Sequence, residues 1–186
     1  KKANPSKINQ MIDHWIHNHL LGKFGLRLIP KNDLSNEGKL TNVVDLPLNT
    51  MILIGLIEKK YFGLAENIYT NLLKVVIKNL RTRKNFYKLY DAETGTCTGE
   101  YNIINGMIPI KVFVRLLGIQ RWNDHELVLS DPSVFKEEIK VYYRGMSIIC
   151  TQKGHTIITS DGKNIDLISK DTQPVKIPTF IRKDQL

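Results

Sequence analysis

At 186 residues the chain suffices for one to one and a half domains, with a core that needs no disulfide or metal support. Apolar content of 42% and charged content of 24% are those of a globular protein, and without a run of about 18 apolar residues no membrane-spanning helix is expected. The net charge of +9 keeps an anionic partner open, while two lone cysteines, Cys97 and Cys150, make neither a disulfide framework nor a zinc site.

The N-terminus, Lys1-Lys2-Ala3-Asn4-Pro5, lacks both an initiator methionine and the apolar stretch of a signal peptide. A soluble processed product or a piece of a longer chain is expected, with no compartment fixed. Asn4 suits the cap of a first helix and Pro5 its first position. Ile8, Met11, Ile12, Trp15, Ile16 and Leu20 follow the i, i+3, i+4 spacing of an amphipathic helix, ended by Gly22 and Gly25. A long polar connection is expected from Lys23 to Asp45, with Asn32, Asp33, Ser35, Asn36 and Gly38. Loops of that length are often functional.

Pro47 begins a second helix whose Leu48, Met51, Ile52, Leu53, Ile54, Leu56 and Ile57 leave little polar surface, so burial on most sides is expected. A third helix runs from Phe62 to Leu80, packing through Leu64, Ala65, Ile68, Leu72, Val75, Val76 and Leu80. The dense cluster Lys78, Arg81, Arg83 and Lys84 complements the negative end of the helix dipole and reads as a solvated terminus. Asn85 to Tyr101 reads as a loop with turn residues Asp91, Thr94, Gly95 and Gly99. A fourth helix spans Asn105 to Leu117.

After polar, turn-rich Arg121 to Pro132, the apolar period switches from 3.6 to 2. Ile139, Val141 and Tyr143 alternate, as do Ile148 with Cys150, Ile157 with Thr159 and Ile165 with Leu167. Lys153-Gly154 and Asp161-Gly162 are hairpin signals. The expected organisation is a helical segment over 1–120, a linker over 121–137 and a β-rich appendage over 138–180.

Chemistry is harder to find. Asp13-His14-Trp15-Ile16-His17-Asn18-His19 lacks a recognised metal spacing and reads as a solvated helix face, so no metal is expected. No catalytic serine or cysteine constellation, Walker loop or dinucleotide fingerprint occurs, so no cofactor is expected.

The order of elements says more. Helix, long polar loop, Pro47-Leu48-Asn49, a buried helix with Gly55-Leu56, an Ala65-containing helix, then Asn85-Phe86-Tyr87-Lys88-Leu89-Tyr90-Asp91-Ala92-Glu93-Thr94-Gly95 and a final apolar helix run as far as Ile119. This resembles the C-terminal third of the (α/α)6 six-hairpin glycosidases, the group of processing α-glucosidases, trehalases and mannosylglycerate hydrolases. The resemblance implies a mainly α fold with a β tail: a partial (α/α) barrel of antiparallel helix hairpins, then a small antiparallel sheet. It also implies that the loops 23–45 and 85–104 share one end of the helices and form a rim.

The same resemblance places Lys88 where the family has its general-base glutamate. An inverting glycosidase needs two carboxyl groups about 6.5–9.5 Å apart, and an ammonium cannot serve as one. Displaced candidates are Asp91, Glu93 and Glu100, each otherwise a turn or surface acid; Asp45, Asn49, Tyr90 and Asn105 fall at substrate-binding positions. The family's tryptophan–arginine strip falls on Lys39-Leu40-Thr41-Asn42-Val43-Val44-Asp45 and is absent. Three functions follow as expectations. The first is a non-catalytic glycosidase-like domain that binds carbohydrate weakly or acts as a scaffold. The second is the C-terminal part of an active hydrolase whose acid lies upstream, with the rest of that parent chain as partner. The third is a basic module for an anionic partner; nucleic acid is not expected among its ligands because the cations are scattered along the sequence.

Overall fold

The computed structural model describes residues 5–33, 41–102, 106–122, 126–143, 146–159, 162, 164–167 and 175–178. Asn4, Ser35, Asn36, Gly38, Lys39, Leu40, Asn105 and Asp161, invoked above, lie outside those residues. The backbone falls into two compact units, residues 1–59 with 67–109, and residues 60–66 with 110–186.

In the first unit, α1 (Pro5–Trp15) runs into a π-helical turn, Ile16–Leu20, that buries Ile16. The chain then folds back as β1 (Leu21–Gly22) on β2 (Gly25–Leu26). Gly25 is required there: its φ is +131°, and a Cβ would lie 2.6 Å from Leu72 Cδ2. Arg27 bridges to Val44 in β3 (Val43–Asp45), which heads the β3-β4-β5 antiparallel sheet with β4 (Tyr87–Asp91) and β5 (Cys97–Tyr101). Val44, Tyr90 and Cys97 are register partners across the three strands, and all three are buried. Because side chains alternate across a strand, that row fixes which face of the sheet is core.

α2 (Leu46–Glu58) starts where Asp45 accepts a hydrogen bond from the Leu48 amide at 2.9 Å, with Pro47 in the first turn. α3 (Phe62–Arg83) buries Leu72, Val75, Val76 and Asn79 along the part that belongs to this unit. The Asn79 amide donates to Gly95 O at 2.9 Å, so the turn at the tip of the β4–β5 hairpin is held on the helix.

Beyond residues 60–66, the second unit holds α4 (Ile110–Leu116), β6 (Ile119–Trp122) and β7 (Glu126–Leu129). A meander follows: β8 (Ile139–Tyr143), β9 (Met146–Thr151), β10 (Gly154–Ile158) and β11 (Asn164–Leu167), each antiparallel to the next. β12 (Val175–Pro178) pairs with β7, giving the order β12-β7-β6. Leu117, Ile119, Leu127, Leu129, Ile148, Cys150 and Ile157 form the core, with Phe113, Phe135, Ile139 and Val141 against it. The meander is the one the period-2 alternation predicts.

The expected mainly helical fold does not occur. Among the described residues four α-helices are interleaved with four small sheets, a mixed α/β arrangement and not a partial (α/α) barrel with a β tail. The difference lies within 23–45 and 85–101, where β2, β3, β4 and β5 stand in place of the expected loops. Their turn residues are real, but Asp91 to Gly95 is the tip of a hairpin. Strands of two to five residues are too short to show a period, and Val44 pairs with Tyr90 across a separation no local window spans. Within 121–137, the polarity that suggests a linker belongs to a stretch that carries β7. No helix among the described residues is long and apolar enough to cross a membrane.

Candidate functional site

The two long segments do come together, as parts of one sheet. Asp45 ends β3 and Lys88 lies in β4, and the Lys88 Nζ stands 3.5 Å from Asp45 Oδ2. The carboxylate therefore serves both as the α2 cap and as the partner of the lysine, since its other oxygen accepts from Leu48 N. Lys88 is thus matched to a fixed anion of its own unit.

Asp91 and Glu93 are occupied in the hairpin tip. Asp91 Oδ1 accepts from the Glu93 amide at 3.0 Å, the Thr94 amide at 2.7 Å and the Thr94 hydroxyl at 2.9 Å, an Asx turn. Partial burial alone would raise the Asp91 carboxyl; the Thr94 and Glu93 donors and the Arg27 charge outweigh it and hold the group below its ordinary value. Glu93 forms an ion pair with Arg27, whose side chain is buried and also donates to Leu21 O at 2.8 Å. That guanidinium ties β1, β2 and the hairpin tip into one knot.

Asn49 is fully buried, and its amide is spent on backbone: Oδ1 accepts from Leu26 N at 2.8 Å, and Nδ2 donates to Leu26 O and Asp45 O, each at 2.9 Å. Tyr90 is buried as well, its hydroxyl accepting from the Tyr87 amide at 3.4 Å, and desolvation pushes the phenol up to about 12. Glu100 is exposed on β5. Of the residues singled out from the sequence, Asp45, Lys88, Asn49, Tyr90, Asp91 and Glu93 thus gather on one sheet and its flanks, and each described contact among them is a structural one.

A different surface carries unspent charge. From Asn67 to Lys84 the sequence has five cations and no carboxylate: Lys74, Lys78, Arg81, Arg83 and Lys84. Lys74, Lys78 and Arg81, at i, i+4 and i+7, fall on one face of α3, and all are exposed. Folding adds the segment after β1 to them. Lys23 Nζ lies 5.5 Å and Lys78 Nζ 5.8 Å from the centre of the Phe24 ring. Phe24 is itself pinned, its amide donating to Ala92 O at 3.0 Å, and Lys78 donates to Thr94 O at 3.2 Å. Sequence reasoning singled out only the end of this row. The signal for the rest was the acid-free run; the approach of Lys23 and Phe24 is a product of the fold.

The histidines of the first helix make local contacts, His17 with Asp13 at 3.2 Å and His14 with Asn18 at 2.9 Å. Among the described residues no group of three or more His, Cys, Asp and Glu converges as metal ligands do.

No family model matches the chain, and no match was found among curated proteins or solved structures. The glycosidase resemblance is therefore overturned: the six-hairpin helical architecture it implies is replaced by four small sheets with four helices, and no homologue supports it.

Proposed function

We propose that the chain is a binding module that takes an anionic partner on the exposed face of α3. The supporting observation is the run from Asn67 to Lys84, where five cations meet no carboxylate and three of them form a single exposed stripe. A solvated helix end needs one or two cations in its last turn to complement the dipole. Lys74 lies more than two turns before the end of α3, so the dipole does not account for it. The field of the stripe, which has no carboxylate on its own stretch of helix, raises the concentration of anions near it. The carbohydrate-binding reading rested on the resemblance, and no contact described above favours it over the anionic-partner reading.

Retention on a heparin column tests this. The variant Lys74→Gln/Lys78→Gln/Arg81→Gln should elute at clearly lower salt than Lys136→Gln/Lys140→Gln/Lys153→Gln, which removes the same formal charge from the other unit. Equal elution of the two variants would show that net charge alone is being read.

A scaffold role has its own support. α2 carries no charged residue before Glu58, yet Met51 is 70% exposed and a Cβ on Gly55 would meet open space. An apolar helix face left in water is a surface for another polypeptide. Met51→Lys should then reduce self-association or the binding of an apolar dye, and no change in either would remove this reading.

A further inference from the structure

Resting on the anionic-partner reading, we infer that the partner is a single-stranded nucleic acid, with a base stacked on Phe24 and phosphates on Lys23, Lys78 and the α3 stripe. A bare electrostatic stripe needs no aromatic side chain. Here the Phe24 ring has two ammonium groups near it, 5.5 and 5.8 Å from its centre, and one of them, Lys78, belongs to a stripe of three cations that spans about 10 Å of helix.

The ring also packs closely against the hairpin tip. A Cβ on Gly95 would lie 3.0 Å from Phe24 Cε2, so the glycine, at φ +69°, leaves just the room the ring occupies. The backbone bond to Ala92 and the Asn79 bond to Gly95 hold both ring and turn to the body of the unit. The two ammonium groups are held more loosely, by the ring and, for Lys78, by one exposed hydrogen bond to Thr94 O, since an ammonium over a ring that water still reaches is weakly bound. A nucleotide strand can therefore exchange partners with this surface: its phosphates take the ammonium groups, and an unpaired base takes the ring face they leave.

That pairing of a positively charged track with an aromatic platform is how proteins hold single strands without reading sequence. A duplex hides the faces of its bases inside the stack, and a sulfated or phosphate polymer has no base to offer. Neither uses Phe24. The scattering of cations along the sequence argued against nucleic acid, but folding brings Lys23 to the ring that Lys78 also approaches, from 55 positions away.

Fluorescence anisotropy on the whole chain with a labelled oligothymidylate, its duplex with oligoadenylate, and labelled heparin separates the cases. Phe24→Leu should weaken single-strand binding about 10-fold and leave heparin binding unchanged. Phe24→Tyr, which keeps a stacking face, should restore it, and matching circular dichroism and thermal midpoints should show the variants folded. Equal loss by Phe24→Leu on oligothymidylate and heparin, no loss on either, or tighter binding of the duplex than of the single strand overturns the inference while the anionic-partner reading stands. Failure of the wild-type chain to bind any of the three at low salt overturns both.

Discussion

Asn49 pairs with Leu26 as a neighbouring strand would, giving one hydrogen bond to its carbonyl and taking one from its amide, at 2.9 and 2.8 Å. A helix side chain thereby extends the sheet by a step and fixes α2 against β2. Asn49→Ala leaves the buried Leu26 amide and carbonyl unmatched, and each unmatched group costs about 1–3 kcal/mol. A loss of about 2–4 kcal/mol is expected in urea unfolding of the first unit. Asn49→Asp should be no better, because it replaces the donor that faces Leu26 O and Asp45 O with an acceptor.

The Asp45–Lys88 pair gives an asymmetric prediction. Asp45 both caps α2 and faces the lysine, so Asp45→Ala should cost about 1–2 kcal/mol. Lys88 is 38% exposed, and Lys88→Ala should cost under about 1 kcal/mol. Lys88→Glu should be worse than Lys88→Ala, since it sets a second carboxylate against Asp45. Denaturant midpoints of the three variants check the order.

His155 makes the second unit sensitive to acid. It is buried, its Nε2 lies 2.8 Å from Leu117 O, and desolvation lowers its pKa despite the opposing effect of that bond. Cys150 stands directly across from it on β9, with a thiol that burial pushes up to about 12, so no neighbouring anion from that strand offsets a protonated ring. The unfolded chain takes up the proton near pH 6.5, before the folded one. Stability from the neutral, buried ring is therefore complete above pH 6.5 and is lost as pH falls through the lowered folded value. Thermal midpoints from pH 8 to 5 should fall with acid, and His155→Gln should flatten the slope. Asp91, also lowered, acts in a separate, more acidic window, its stabilisation present above 3.8 and lost below.

Local patterns carried much of the helical and meander structure. Pro47 is a legible helix start, and the alternation from Ile139 to Leu167 with the hairpin signals between its runs foretells a meander, as the order β11-β10-β9-β8 has it. The first unit was harder, because its strands are stabilised by partners far along the chain. Val44 needs Tyr90, Leu26 needs Asn49, and Arg27 needs Glu93, and none of these couples leaves a local period. The same holds for the charged surface. The acid-free run is visible in the sequence, whereas the convergence of Lys23, Phe24 and Lys78 requires the hairpin tip to sit on α3.

The salt dependence of polyanion binding tests the central claim most directly. Each phosphate neutralised on a single strand contributes about −0.7 to the slope of log K against log salt. With a labelled oligothymidylate, Lys74→Gln/Lys78→Gln/Arg81→Gln should make that slope shallower by about 2, because the variant removes all three cations of the stripe. The unit-two control, Lys136→Gln/Lys140→Gln/Lys153→Gln, should leave it as in the wild type. A slope unchanged by the α3 variant, or changed equally by both, would contradict an anion site on this face.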